Sequence, residues 1–64
     1  MEKKYWVEAD RAVKDRNKVI GYSVWHQNNG RQRVRKFAIS RKGGADVALH
    51  LANMLRDDMN NGVA

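Results

Sequence analysis

From Gly30 to Lys42 the sequence runs Gly-Arg-Gln-Arg-Val-Arg-Lys-Phe-Ala-Ile-Ser-Arg-Lys, with six positive side chains and no carboxylate. Arg31, Arg33 and Arg35 recur at every second residue, the period that puts side chains on one face of a β-strand. A guanidinium is a planar fork of donors that fits phosphate oxygens and also the O6/N7 edge of guanine. Lys36, Arg41 and Lys42 flank the row as cations suited to phosphate contact, which positions a protein without reading sequence. On the preceding segment Ser23 and Trp25 share one parity, offering a minor polar contact and an aromatic surface for a sugar or a thymine methyl. Arg11, further upstream, could reach the same groove. Each feature also has a bland account: a charged strand in water, or an indole folded over the sheet edge as core.

Other chemistry finds little support. His26 and His50 are the only imidazoles, they lie on different segments, and no third ligand is evident, so no metal is expected. His50 reads as a solvated helix residue. Asp57 and Asp58 are adjacent, and neighbours on a helix do not converge on one face. Gly43-Gly44 lacks the following Lys of a phosphate-binding loop. With no positioned acid, base or nucleophile, the chain is not expected to be an enzyme, and no cofactor or small-molecule substrate is implied.

The chain has 64 residues, net charge +6 and no cysteine. That length allows one compact domain over residues 1–64 and excludes a large enzyme with its own cofactor fold. Without cysteine there is no disulfide framework, thiolate zinc site or cysteine nucleophile. No apolar run approaches the roughly 18 residues that span a bilayer, and no apolar N-terminal stretch suggests a signal peptide, so no membrane partner is expected. Charge is unevenly placed: residues 1–42 hold 12 basic and 4 acidic groups, whereas residues 43–64 hold one Arg and three Asp. A small basic domain of this kind attracts polyanions by electrostatics and counterion release.

Three β-rich segments and one helix must position these residues. Residues 5–13 open with aromatics and read as a strand, although the alternation is imperfect and a short helix competes. Residues 18–27 make a better strand, with Ile20, Tyr22 and Val24 on one face and Ser23 and Trp25 on the other. Asn28-Asn29-Gly30 tolerates positive φ and can close a hairpin into a third strand over residues 31–40. There Phe37 and Ile39 have the parity of the arginines, with Val34 opposite, so strict alternation would bury the charges or expose the large apolar groups. A bulge or a break in pairing around Lys36 resolves the conflict. After Gly43-Gly44 a helix is expected over residues 45–59, its apolar stripe formed by Ala48, Leu51, Ala52, Leu55 and Met59. Asp46 suits its first turn, and Asn60-Asn61-Gly62 suits its end. The expected fold is α+β: a three-stranded antiparallel sheet with one C-terminal helix across one face. The other face stays open, presenting Arg31, Arg33 and Arg35 beside Trp25 and Ser23.

The run Gly30–Ile39, followed by Gly44-Ala45-Asp46-Val47-Ala48-Leu49-His50-Leu51-Ala52 and Arg56, resembles the second half of an AP2 domain. The likeness is to the divergent AP2 domains of apicomplexan transcription factors. Phe37, Gly44, Ala48, Leu51, Ala52 and Arg56 fall at the corresponding places, and Gly43 reads as one extra loop residue. The first half departs from the pattern: the Gly-aromatic opening is absent and the Trp of the second strand is displaced. The resemblance covers about 45 residues on short motifs. It implies a three-stranded sheet on a helix, major-groove binding by that sheet, a nuclear transcription regulator and, in some members, dimerisation by helix exchange. The arm-binding domains of tyrosine integrases are similar, and that alternative would place the protein in the cytoplasm or nucleoid.

The leading expectation is therefore sequence-specific double-stranded DNA binding through Arg31, Arg33, Arg35, Lys36, Trp25, Ser23, Arg11, Arg41 and Lys42. The alternatives are an arm-type DNA-binding domain of a phage or transposon integrase, and a small protein- or RNA-interaction module. The helix, with its small residues, also leaves a homodimer open.

Overall fold

The computed structural model describes residues 4–27 and 29–62. The chain forms β1 (Tyr5–Arg11), β2 (Val19–Gln27), β3 (Arg31–Ala38), a helical turn α1 (Ile39–Lys42) and the helix α2 (Ala45–Asn60). The strands make one antiparallel sheet in the order β1-β2-β3, and α2 lies across one face, the α+β arrangement expected. β2 begins one residue later and α2 ends one residue later than expected, and two other boundaries differ by more. β1 ends at Arg11 rather than residue 13, where the polar segment begins to turn and the Lys18 amide donates to the Asp15 carbonyl. β3 ends at Ala38, and Ile39–Lys42 coil into a helical turn closed by Gly43, whose φ of 86° only glycine adopts freely.

Val24 and Phe37 face the helix because their cross-strand neighbours and α2 exclude water there. Together with Ala48 and Ala52 they form the buried apolar core, and Tyr5, Val7, Tyr22, Ile39, Leu51 and Leu55 pack around it. The two buried alanines lie one helical turn apart, so the α2 backbone rides close to the sheet, while Leu51, Leu55 and Met59 flank the contact half-buried. Val47 and Met54 fall on the outer side of the helix and stay exposed. The far end of α2 is tied to the sheet by Asn60: its Oδ1 accepts from the Tyr5 amide at 3.0 Å and its Nδ2 donates to the Tyr5 carbonyl at 3.1 Å.

Two irregularities set which side chain faces which way. In the β2–β3 ladder Val24 pairs with Arg35 and Trp25 with Arg33, so Val34 is an extra residue bulged out of β3. In the β1–β2 ladder Asp10 pairs with Gly21 and Arg11 with Val19, which leaves Ile20 as the extra residue of β2. Ile20 therefore does not continue the regular Tyr22–Val24 alternation. The β2–β3 turn carries Asn29 at φ 55° and Gly30 at φ 110°, the left-handed geometry expected of this hairpin. Asn28 lies outside the described residues. Gly21 leaves no room for a side chain: a Cβ there would stand 2.8 Å from the Phe37 carbonyl oxygen.

Candidate nucleic-acid interface

Residues directly opposite on neighbouring strands share a face. The face away from α2 is therefore assembled from Trp6, Glu8 and Asp10 of β1, Ser23 and Trp25 of β2, and Arg31, Arg33 and Lys36 of β3. Trp25 is its centre. The Arg31 guanidinium lies 4.3 Å from the indole centroid and that of Arg33 5.3 Å, cation–π distances that stack both arginines on one aromatic platform. The Trp25 indole nitrogen is buried and finds no acceptor among the described residues. Expectation and structure agree that Arg31, Arg33, Trp25 and Ser23 share the open face.

Arg35 does not belong to it. The bulge was expected around Lys36 but occurs at Val34, before Arg35 instead of after it. Arg35 is thereby paired with Val24 and takes the parity of Phe37, on the helix side of the edge strand. Its guanidinium lies 5.3 Å from the Phe37 ring centroid and remains exposed. Lys36, paired with Ser23, takes the outward place instead. Val34, expected opposite the arginines, is 41% exposed at the bulge.

The remaining candidates are spread more widely. Ser23 has the expected parity but no exposed surface, and its hydroxyl donates to Asp10 Oδ2, so it is occupied within the sheet rather than offered to a ligand. Arg11, at the β1 end, donates from Nη1 to the Arg16 carbonyl at 3.0 Å and braces the β1–β2 connection. Arg41 and Lys42 are exposed on α1, with the Lys42 ammonium 6.0 Å from the Phe37 ring, so Lys42 lies towards the helix side. His26 stacks on Tyr5 with centroids 4.4 Å apart, and His50 is exposed on α2. No group of three His, Cys, Asp or Glu side chains suited to a metal occurs among the described residues, and no helix among them is long and apolar enough to cross a membrane.

Two acidic residues that sequence reasoning left out stand on the open face. Glu8 Oε1 accepts from Arg31 Nη2 at 2.6 Å, and its other oxygen accepts from the Trp6 indole nitrogen at 2.6 Å. Asp10 Oδ1 stands 4.0 Å from Arg33 Nη2, while Oδ2 accepts from Ser23. Donation by Trp6, joined by the hydrogen bond and charge of Arg31, outweighs the cost of burial and holds the Glu8 carboxyl below its ordinary pKa. The signal that could have found this pair is the parity of Trp6, Glu8 and Asp10, but it places them on the open face only once β1 is registered on β2. Compared with protein-family models, curated proteins and solved structures, the chain matches none.

Proposed function

We propose that the chain is a sequence-specific double-stranded DNA-binding module of a transcription regulator acting in the nucleus, which lays the open face of its sheet in the major groove. The observation that carries this reading is the pair Arg31 and Arg33, side by side on Trp25 on the face that α2 leaves uncovered. A major groove about 12 Å wide admits a β-ribbon, and an arginine fork can take guanine O6 and N7 together. Stacking on the indole restricts the rotamers of both forks, so less freedom is lost when a base is engaged. Lys36 on the same face, and Arg35, Arg41 and Lys42 at its margin, supply phosphate contacts and a long-range field. The likeness of Gly30–Ile39 and Gly44–Ala52 to AP2 domains agrees with this use of the sheet.

Selection of binding sites from random duplexes at about 0.15 M salt, followed by titration of the best site against a scrambled one, tests the proposal. A defined motif is expected. Arg33→Ala should cost about 1–3 kcal/mol of discrimination at one position of that motif. Arg41→Ala should weaken selected and scrambled duplexes alike. Uniform weak binding that vanishes with added salt would leave only polycation behaviour and overturn the reading.

A further inference from the structure

Four side chains around Trp25 follow one plan. Glu8 spends one oxygen on the neutral Trp6 N–H and the other on Arg31; Asp10 spends one on the neutral Ser23 hydroxyl and stands with the other towards Arg33. Both carboxylates are thus fixed from the sheet side and turned towards the two arginines on the indole. The other cations of the region, Arg35, Lys36, Arg41 and Lys42, form no ion pair among the described residues. We propose that Glu8 and Asp10 are specificity-determining positioning residues that make Arg31 and Arg33 readers of neutral base-edge acceptors rather than binders of phosphate. The inference rests on the double-stranded DNA reading above and assigns a division of labour within it.

The physical basis is the difference between the two kinds of acceptor. A phosphate oxygen approaching Arg31 would come close to the Glu8 carboxylate as well, and repulsion between the anions cancels much of what the guanidinium offers. Guanine O6 and N7 carry no net charge and suffer no such repulsion. Glu8 engages Nη2 alone, and a guanidinium has five N–H donors, so a free edge remains for a bidentate base contact. A single exposed ion pair is worth little for stability. What matters here is its effect on competing ligands: each pairing subtracts from non-specific affinity while leaving the specific hydrogen bonds in place, and that difference is specificity.

The test titrates the wild type, Glu8→Gln and Asp10→Asn against the selected and the scrambled duplex over a range of salt. Asp46→Asn serves as the control, because it removes the same charge from the exposed first turn of α2 without releasing an arginine. Each freed arginine should add one phosphate contact on scrambled DNA, steepening the slope of log K against log salt by about 0.9. The ratio of selected to scrambled affinity should fall about fivefold or more in Glu8→Gln and Asp10→Asn, and stay unchanged in Asp46→Asn. If all three variants shift alike, or the ratio holds in the first two, the assignment of Glu8 and Asp10 is overturned while DNA reading stands. If the wild type prefers no duplex, DNA reading itself falls and this inference with it. Melting curves accompany each titration, and should Asp10→Asn fail to fold, Glu8→Gln decides alone, because the Glu8 side chain is 37% exposed against 13% for Asp10.

Discussion

At the scale of single residues, Glu8 ties β1 to β3 across the open face. It accepts from Trp6 on its own strand and from Arg31 two strands away, with Trp25 between them. Both donors favour the ionised carboxylate, and the Trp6 hydrogen bond is the largest single cause of its lowered pKa. A carboxyl held below its ordinary value contributes stability that is present above the unfolded pKa of about 4.3 and is lost as pH falls through the lower folded value. In Trp6→Phe, and likewise in Arg31→Gln, the Glu8 carboxyl should titrate nearer its ordinary value. Carboxyl carbon shifts followed by NMR between pH 2 and pH 6, a window of about two units either side of an ordinary Glu, measure both. A Glu8 left unmoved in either variant would remove that partner from the causes.

At the scale of elements, β3 shows how one extra residue decides the composition of a face. Arg33 pairs with Trp25 and Arg35 with Val24, so removal of Val34 brings two already paired residues together without changing what either faces. A Val34 deletion should therefore fold with the same cross-strand contacts and a regular ladder, Arg33 still over Trp25 and Phe37 still in the core. Interstrand NOEs between Trp25 and Arg33 and between Tyr22 and Phe37 read this directly, and their replacement by contacts one residue out of step would show that the bulge sets the register. The same strand shows what the sequence carries and what it hides. The period of two, the Asn-Gly turn and the stripe from Ala48 to Met59 sufficed for the three strands, the helix and the outward pairing of Trp25 with Arg31 and Arg33. The conflict between the arginines and Phe37 revealed that parity must break, but its place depends on fitting Val24, Tyr22 and Phe37 together under α2, which is a tertiary matter. Arg35 was misplaced for that reason. Glu8 and Asp10 escaped because the weak alternation of β1 does not specify its register, and α1 because four residues are too few to show a helical period.

At the scale of the whole molecule, charge and stability are unevenly shared. Basic groups crowd β3 and α1, whereas α2 carries Asp46, Asp57 and Asp58 against Arg56 alone, so the cations gather on the strand that supplies Arg31 and Arg33 and on the turn that follows it. This polarity would orient the chain as it approaches a polyanion, and higher salt should slow association more than dissociation. The scaffold behind that surface is slender. Val24, Phe37, Ala48 and Ala52 are the buried apolar residues among those described, and between α1 and the start of β2 an open groove lined by Val19, Ile20 and Ile39 adds no enclosed packing. A core in a domain this small rarely supplies more than about 3–5 kcal/mol of net stability. Phe37 is its one large aromatic side chain, 5% exposed, in contact with both buried alanines' cluster and flanked by Arg35 and Lys42. Truncating a buried Phe to Ala costs about 3–5 kcal/mol, the whole of that reserve. Phe37→Ala should therefore lose its cooperative thermal transition by circular dichroism, while Val47→Ala and Met54→Ala on the exposed side of α2 should melt as the wild type does. A sharp transition retained by Phe37→Ala would mean that the half-buried shell of Tyr5, Val7, Tyr22, Leu51 and Leu55, rather than the four-residue centre, holds the fold together.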